Sequence, residues 1–216
     1  MVWLVEKAIR SVVHYFETLV ILFRFLLFFE ALPSTFLHSI GEADIQRADE
    51  FRSTSMKHIL ETYSPENIYN ADETAICYRA LPQSTYVERK HKKKQRGFKI
   101  AKDRVTVLVT CNMNGDKEKL LLIGKFKSPR CLRRVGTLPI SYAYSKNAWM
   151  TATIFEDWLT LWDVLLQREG RKVALLVDNC SAHKSTMSLQ NILLHFLPPN
   201  ITSVLAQQTQ SSSSAS

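Results

Sequence analysis

Val173-Ala174-Leu175-Leu176-Val177 is an unbroken apolar run that lies between Lys172 and Asp178. Such a run is typical of a central strand in a parallel sheet, where both faces are buried. The residues before it predict an amphipathic helix over Thr153–Arg168, because apolar side chains recur at helical spacing and Gly170 follows as a stop. Those apolar side chains are Ile154, Trp158, Leu161, Trp162 and Leu165. A helix that leads into a buried strand indicates an α/β fold.

The other predicted elements follow from β-branched runs, a turn signal and helical spacing. They are a helix over Ala43–Tyr63, a short strand at Ile68–Asp72, a hairpin of Arg104–Cys111 and Leu120–Gly124 joined at Asn114-Gly115, and a strand at Leu193–Leu197. The order is strand, hairpin strands, helix, strand, helix, strand. We therefore predict an α/β domain with a mixed sheet.

The positive charge of the chain is concentrated in one short segment. The 216 residues carry 28 Lys and Arg against 20 Asp and Glu. Eight of the basic residues fall between positions 89 and 102 with no acidic residue among them: Arg89, Lys90, Lys92, Lys93, Lys94, Arg96, Lys99 and Lys102. The rest of the chain is therefore neutral. Such a segment predicts a polyanionic partner or a nuclear import receptor, and a solvated loop without a partner is the alternative.

Composition and cysteine spacing exclude several classes of protein. A hydrophobic content of 46% with 6 Gly and 7 Pro excludes a collagen-like or wholly disordered chain. The cysteines are Cys77, Cys111, Cys131 and Cys180, and no two of them form a Cys-x-x-Cys pair. Neither a disulfide framework nor a zinc ribbon is therefore expected, and reduced thiols in an intracellular compartment are the expectation.

The first forty residues differ in character from the rest. Residues 19–29 form an apolar run interrupted only by Arg24, shorter than the roughly 20 residues that span a membrane. Lys7 and Arg10 upstream leave a signal peptide or membrane anchor open. The alternatives are a helix buried against a protein partner and foreign sequence joined to the domain by a faulty gene model. The predicted division is an apolar leader at 1–40, a domain at 41–210 and a disordered tail at 211–216.

Two acidic residues follow predicted strands, Asp72 after Ile68–Ala71 and Asp178 after Val173–Val177. In parallel α/β sheets, functional groups gather beyond the carboxyl ends of the strands. If these strands are neighbours, the carboxylates come close together and repel, and a divalent cation such as magnesium or manganese relieves the repulsion. Two such ions would support phosphodiester cleavage. The alternative is that each Asp caps a helix or a turn.

The sequence around these acids resembles a known family. Asn70-Ala71-Asp72-Glu73-Thr74 and Asp178-Asn179-Cys180-Ser181-Ala182-His183 are similar to the two central blocks of the DDE superfamily of transposases. The branch is the pogo/Tigger type, which includes centromere protein B and jerky-like proteins. Further blocks follow the family pattern in the same order: Arg104–Val109, Gly124-Lys125, Ser128–Cys131, Ala148–Thr151, Phe155, Trp158-Leu159 and Phe196–Asn200. The similarity covers residues 41–210.

The resemblance implies an RNase H-like fold, a mixed sheet with flanking helices, in which Asp72 and Asp178 are catalytic, metal-binding carboxylates. It also implies magnesium or manganese as the cofactor, DNA as the partner and the nucleus as the location. The position of the family's third carboxylate is occupied by Thr209, and no Asp or Glu follows Asp178. Because a neutral hydroxyl is a weak ligand, we expect weak metal binding and no strand cleavage. The family carries its third carboxylate on a helix that this sequence is expected to lack, so we also expect a fold incomplete at the C-terminus.

The family's helix-turn-helix domains, which read DNA sequence, have no counterpart in this chain. The basic segment would therefore hold phosphates without reading bases. Its candidate DNA-contacting residues are Lys90, Lys92, Lys93, Lys94, Arg96, Lys99 and Lys102. Two other functions stay open. One is a metal-dependent DNA endonuclease or transposase that borrows a carboxylate from another subunit, and the other is an interaction module docked to a membrane or partner through residues 19–29.

Three further groups of residues admit two interpretations each. His183 would either position a phosphate or a water molecule, or bond the loop backbone at the start of a helix. Glu73 would either contribute an oxygen ligand or point away from the ion, and it is not expected to replace the third carboxylate, because successive strand side chains point to opposite faces. The tryptophans could stack on nucleic-acid bases, but core packing is favoured because Trp158 and Trp162 lie on the apolar face of the predicted helix.

Overall fold

The computed structural model describes residues 46–47, 50–77, 104–130, 132, 140–185 and 187–199. Several sequence predictions fall outside these ranges: the apolar run at 19–29, the basic segment at 89–102, Thr209 and the tail at 211–216. In the parts of the chain that the structure covers, no helix is both long enough and apolar enough to cross a membrane.

Within the described ranges, six strands form one mixed sheet in the order β4-β3-β2-β1-β5-β6. They are β1 (Ile68–Cys77), β2 (Arg104–Asn112), β3 (Leu121–Gly124), β4 (Ser141–Tyr144), β5 (Val173–Val177) and β6 (Ile192–Phe196). β2 is antiparallel to both of its neighbours, β1 and β3, whereas β4 is parallel to β3. β5 and β6 run parallel to β1.

Helices cover both faces of this sheet. A π-helical segment at Arg52–Met56 continues as α1 (Lys57–Thr62), and α2 (Ala152–Glu169) leads into β5. On the α1 face, Met56 and Ile59 pack against side chains of β2 and β5, among them Val109 and Leu176. The α/β class and the predicted mixed sheet with flanking helices are thereby confirmed.

Local sequence signals explain where α2 begins and ends. The Thr151 side chain accepts a hydrogen bond from the backbone N–H of Ile154 at 3.3 Å, which caps the first turn. Gly170 ends the helix with φ at +66°, a left-handed conformation that favours glycine. The predicted helix over Thr153–Arg168 and its glycine stop are confirmed to within one residue at each end.

The stripe of α2 that packs on the sheet differs from the predicted one. Phe155, Leu159, Trp162 and Leu166 are buried, whereas the predicted Leu161 and Leu165 are 69% and 51% exposed. Both stripes repeat at spacings of four, three and four residues, so periodicity could not choose between them. The predicted stripe, which includes Leu161 and Leu165, instead lines a cavity of about 320 Å³ beside β3 and β4.

The tryptophans divide between core and surface. Trp158 and Trp162 contact the core as predicted, but Trp149 is exposed under the Arg104 guanidinium.

Three features of the predicted element order need correction. The first strand does not end at Asp72: β1 continues to Cys77, because β2 pairs with it along its length and satisfies its backbone. β4 was not predicted, since four half-exposed residues at a sheet edge carry little sequence signal. The helix expected between β5 and β6 is wrong, because residues 178–185 and 187–191 form turns and irregular backbone.

The central strand and the hairpin are confirmed. Val173–Val177 is buried throughout and lies between two parallel neighbours, β1 and β6. β2 and β3 are antiparallel and are linked through the predicted Asn114-Gly115 turn, where Gly115 has φ at +92°. The strand predicted at Leu193–Leu197 lies one residue earlier in the structure.

Candidate metal centre

Asp72 and Asp178 occupy equivalent positions on neighbouring strands. The parallel pairing of β1 with β5 includes Asn70 opposite Leu176, and two residues further along each chain lie Asp72 and Asp178. Adjacent strands lie about 4.8 Å apart, and residues two apart point to the same face. The structure therefore places Asp72 and Asp178 at equivalent positions of neighbouring strands, and the predicted adjacency of these strands is confirmed.

Asp72 lies in the middle of a strand rather than beyond its end. Its Oδ1 accepts a hydrogen bond from the backbone N–H of Glu73 at 2.8 Å, and its side chain is partly exposed. The parallel partner β5 ends before Asp178, whereas β1 continues with β2 alone. Within the described residues, β1 is therefore paired with β2 but not with β5 beyond Asn70.

Asp178 is held by a histidine from its own loop. Its Oδ1 is in close contact with Nδ1 of His183. His183 lies five residues later in the chain, and a turn brings it back to Asp178. The hydrogen bond from His183 lowers the pKa of the Asp178 carboxyl, and this effect exceeds that of burial, which raises it. Asp178 is therefore ionised at neutral pH and already has a cationic neighbour.

His183 is fully buried and links two acidic residues. Its Nε2 lies 2.7 Å from Oε1 of Glu73, while Nδ1 faces Asp178. The ring also contacts Phe155 of α2, with ring centroids 4.5 Å apart. Burial lowers the pKa of His183, but the hydrogen bonds to Asp178 and Glu73 outweigh it and raise the pKa above its usual value. The result is a buried imidazolium between two carboxylates.

The contact between Glu73 and His183 was not predicted, and the predicted setting of His183 is only partly correct. No helix begins at His183, although its Nδ1 does lie 3.3 Å from the Asp178 carbonyl oxygen of the loop backbone. Glu73 follows Asp72 in a strand, so alternation directs it to the α2 face. There it binds His183, a residue 110 positions away. The sequence showed a charged residue directly after a predicted strand, Glu73, and a histidine after another strand, His183. No local pattern indicated that these two side chains meet.

Cys180 lies in the same loop, between Asp178 and His183. The backbone N–H of His183 donates to the Cys180 carbonyl oxygen at 3.2 Å, which closes the turn between them. Burial raises the pKa of the half-buried Cys180 thiol, and the neighbouring Asp178 carboxylate acts in the same direction. The thiol is therefore protonated at neutral pH when no metal is bound, which disfavours a nucleophilic role.

The donor atoms of Asp72 and Asp178 suit a hard divalent cation. Carboxylate oxygens are the usual protein ligands of magnesium and manganese, and the two side chains start from adjacent strand positions. The described residues supply these two carboxylate ligands, and Thr209, at the position of the family's third carboxylate, lies outside them. An ion at this place would share Asp178 with His183, whose imidazole already contacts the carboxylate.

Several known proteins resemble this chain in sequence. The sequence model of a family described as DDE superfamily endonuclease matches residues 102–211. Tigger transposable element-derived protein 4 of Mus musculus is 38% identical over 156 residues, covering 72% of this chain and 30% of the relative. Jerky protein of Mus musculus is 37% identical over 184 residues, covering 78% of this chain and 32% of the relative.

A fungal relative and a solved structure complete the comparison. CENP-B homolog protein 2 of Schizosaccharomyces pombe is 35% identical over 169 residues, covering 72% of this chain and 32% of the relative. The Mos1 transposase paired-end complex with left transposon end has a TM-score of 0.40 and 13% identity, covering 80% of this chain and 41% of that chain. The chain spans about a third of the length of these curated relatives. It belongs to the DDE superfamily endonuclease family, in the transposase-derived pogo/Tigger branch.

Proposed function

We propose that residues 41–210 form a transposase-derived DDE domain that binds DNA without sequence preference and holds magnesium or manganese weakly on Asp72 and Asp178. The observation that carries the proposal is the equivalent placement of these two acidic residues on β1 and β5. A bound divalent ion supplies positive charge that stabilises a phosphoryl oxygen. This chain contributes the two carboxylates that hold it.

The connection between β1 and β2 supports DNA as the partner. Cys77, the last residue of β1, pairs with Arg104, the first of β2, so the basic segment at 89–102 is tethered there. At about 3.3 Å per residue, Cys77 lies roughly 17 Å along the strand from Asp72. A cationic segment anchored near the acidic pair would attract a phosphate backbone to that end of the sheet. Because the DNA of a eukaryotic cell is held in the nucleus, DNA as the partner also implies a nuclear location.

Two features argue against strand cleavage by this chain. Thr209 aligns with the third carboxylate of the family, and a hydroxyl supplies no negative charge to a second ion. Asp178 is in contact with His183, so a metal ion must compete with a buried imidazole for the same carboxylate. Two-metal chemistry depends on ligand positions, and both features disturb them.

Nicking of supercoiled plasmid tests this function. With purified chain and manganese, we expect no more nicked circle from the wild type than from Asp178→Ala, because neither has a complete ligand set. The Asp178→Ala variant also controls for contaminating nuclease. Nicking by the wild type that disappears in both Asp72→Ala and Asp178→Ala would contradict the proposal and favour an active endonuclease.

Restoring an acid at position 209 should strengthen metal binding. We expect Thr209→Asp to raise the affinity for manganese by about tenfold, or about 1.4 kcal/mol, because an anionic ligand replaces a neutral one. Electron paramagnetic resonance of free manganese measures the change directly. Thr209→Asn is the matched control, since it adds a polar group of similar size without charge. Equal affinities for the two variants would show that residue 209 does not reach the ion.

A further inference from the structure

The loop after β5 gathers three different metal-binding side chains. Asp178, Cys180 and His183 each offer one ligand atom, and these atoms all lie within 4.8 Å of one another. The turn between Cys180 and His183 is closed by a backbone hydrogen bond of 3.2 Å, which fixes both side chains on one short segment. The cluster includes Asp178 but not Asp72.

The chemistry of this cluster differs from that of the paired carboxylates. A thiolate and an imidazole suit zinc and cobalt, whereas magnesium and manganese prefer oxygen ligands alone. Zinc ligands lie about 2.0–2.3 Å from the ion, so tetrahedral ligand atoms are about 3.4–3.8 Å apart. The three atoms lie within 4.8 Å of one another, and Nδ1 of His183 must move away from Oδ1 of Asp178, which it contacts, to admit an ion. Three protein ligands leave a fourth position for water, as in many open zinc sites.

A second observation comes from the far side of the histidine ring. Nε2 of His183 lies 2.7 Å from Oε1 of Glu73, so Glu73 accepts the N–H that is not directed at the cluster. Histidines that bind metals usually donate their other N–H to a carboxylate, which fixes the tautomer and the ring orientation. The contact of the fully buried His183 ring with Phe155 restrains it further. Glu73 and Phe155 thus hold Nδ1 toward Asp178 and Cys180.

We propose that Asp178 Oδ1, Cys180 Sγ and His183 Nδ1 form a binding site for a thiophilic divalent cation, zinc above all, with Glu73 as the outer carboxylate. Coordination displaces the proton of the thiol and the proton on Nδ1, and both are released to solvent. Zinc binding does not depend on Asp72 or on magnesium. One consequence does rest on the proposed function: zinc and manganese compete, because both use Asp178.

Cobalt titration of the metal-free full chain tests the site. Tetrahedral cobalt bound to a thiolate gives intense visible ligand-field bands and a thiolate-to-metal charge-transfer band in the near ultraviolet. We expect one cobalt per chain with both features, and stoichiometric loss of both on addition of zinc. Cys180→Ser should remove the charge-transfer band, and its circular dichroism should match the wild type. Cys111→Ala is the matched control, because Cys111 lies on β2 outside the cluster and should leave the band intact.

Two further variants separate the parts of the proposal. Glu73→Gln should weaken zinc binding by about 10–100-fold while keeping the charge-transfer band, as expected for an outer-shell partner. Asp72→Asn should keep zinc binding but abolish competition by manganese. Absence of the charge-transfer band in the wild type, or its survival in Cys180→Ser, would overturn the zinc site whatever the manganese result. Zinc binding that manganese does not weaken would overturn only the shared use of Asp178.

Discussion

Replacing Lys92, Lys93 and Lys94 with glutamine is expected to weaken duplex DNA binding about 500-fold at 0.1 M salt. Each phosphate contact contributes a slope of about −0.9 to the dependence of log affinity on log salt, so three lost contacts reduce the slope by about 2.7. Fluorescence anisotropy with a labelled duplex at several salt concentrations measures both the affinity and the slope. The effect should be the same for unrelated DNA sequences, because the lost contacts are to the backbone.

A matched variant controls for the change in net charge. Lys119, Lys127 and Lys146 are exposed in the structure and lie outside the basic segment, so their replacement with glutamine removes the same three charges. We expect this control to lose only a small part of its affinity through the weaker long-range field. An unchanged slope in the first variant, or an equal loss in the control, would show that the segment at 89–102 does not contact DNA.

Replacing His183 with alanine is expected to lower the free energy of unfolding by about 3 kcal/mol, which is the lower end of the cost of breaking a buried ion pair. The lower end applies because the side chains of Glu73 and Asp178 are 18% and 35% exposed. The substitution leaves these two carboxylates without their shared cation and removes the ring that packs on Phe155. Urea denaturation followed by circular dichroism measures the change.

A second histidine offers the comparison. His195 on β6 is half-buried, and burial together with the nearby His58 lowers its pKa, whereas acidic partners raise the pKa of His183. His195→Ala should therefore cost only about 1 kcal/mol, the typical effect of a point substitution. A double-mutant cycle of Glu73→Gln and His183→Ala should give a coupling energy of about 1–3 kcal/mol. Independent effects of the two substitutions would contradict an ion pair between them.

Most of the sheet was predictable because its strands carry strong local signals. β5 has only apolar residues, and a strand buried on both faces admits little else. β1 was predicted too short because Asp72 and Glu73 are not typical strand residues. They remain in the strand because they pair with β2. Local propensity takes no account of pairing with a distant part of the chain. The buried stripe of α2 was missed for a related reason, since two stripes of equal period compete for the sheet.

The sequence by itself determined the family, the α/β class, the basic segment and the two acidic residues that each follow a predicted strand. Each of these depends on residue types, their local spacing or the order of blocks along the chain. Only the tertiary structure decided that Glu73 meets His183 and that His183 in turn contacts Asp178. The physical reason is that this ion-pair network joins residues more than a hundred positions apart. Its geometry is set by the pairing of β1 with β5 and by the turn after β5, which leave no local pattern.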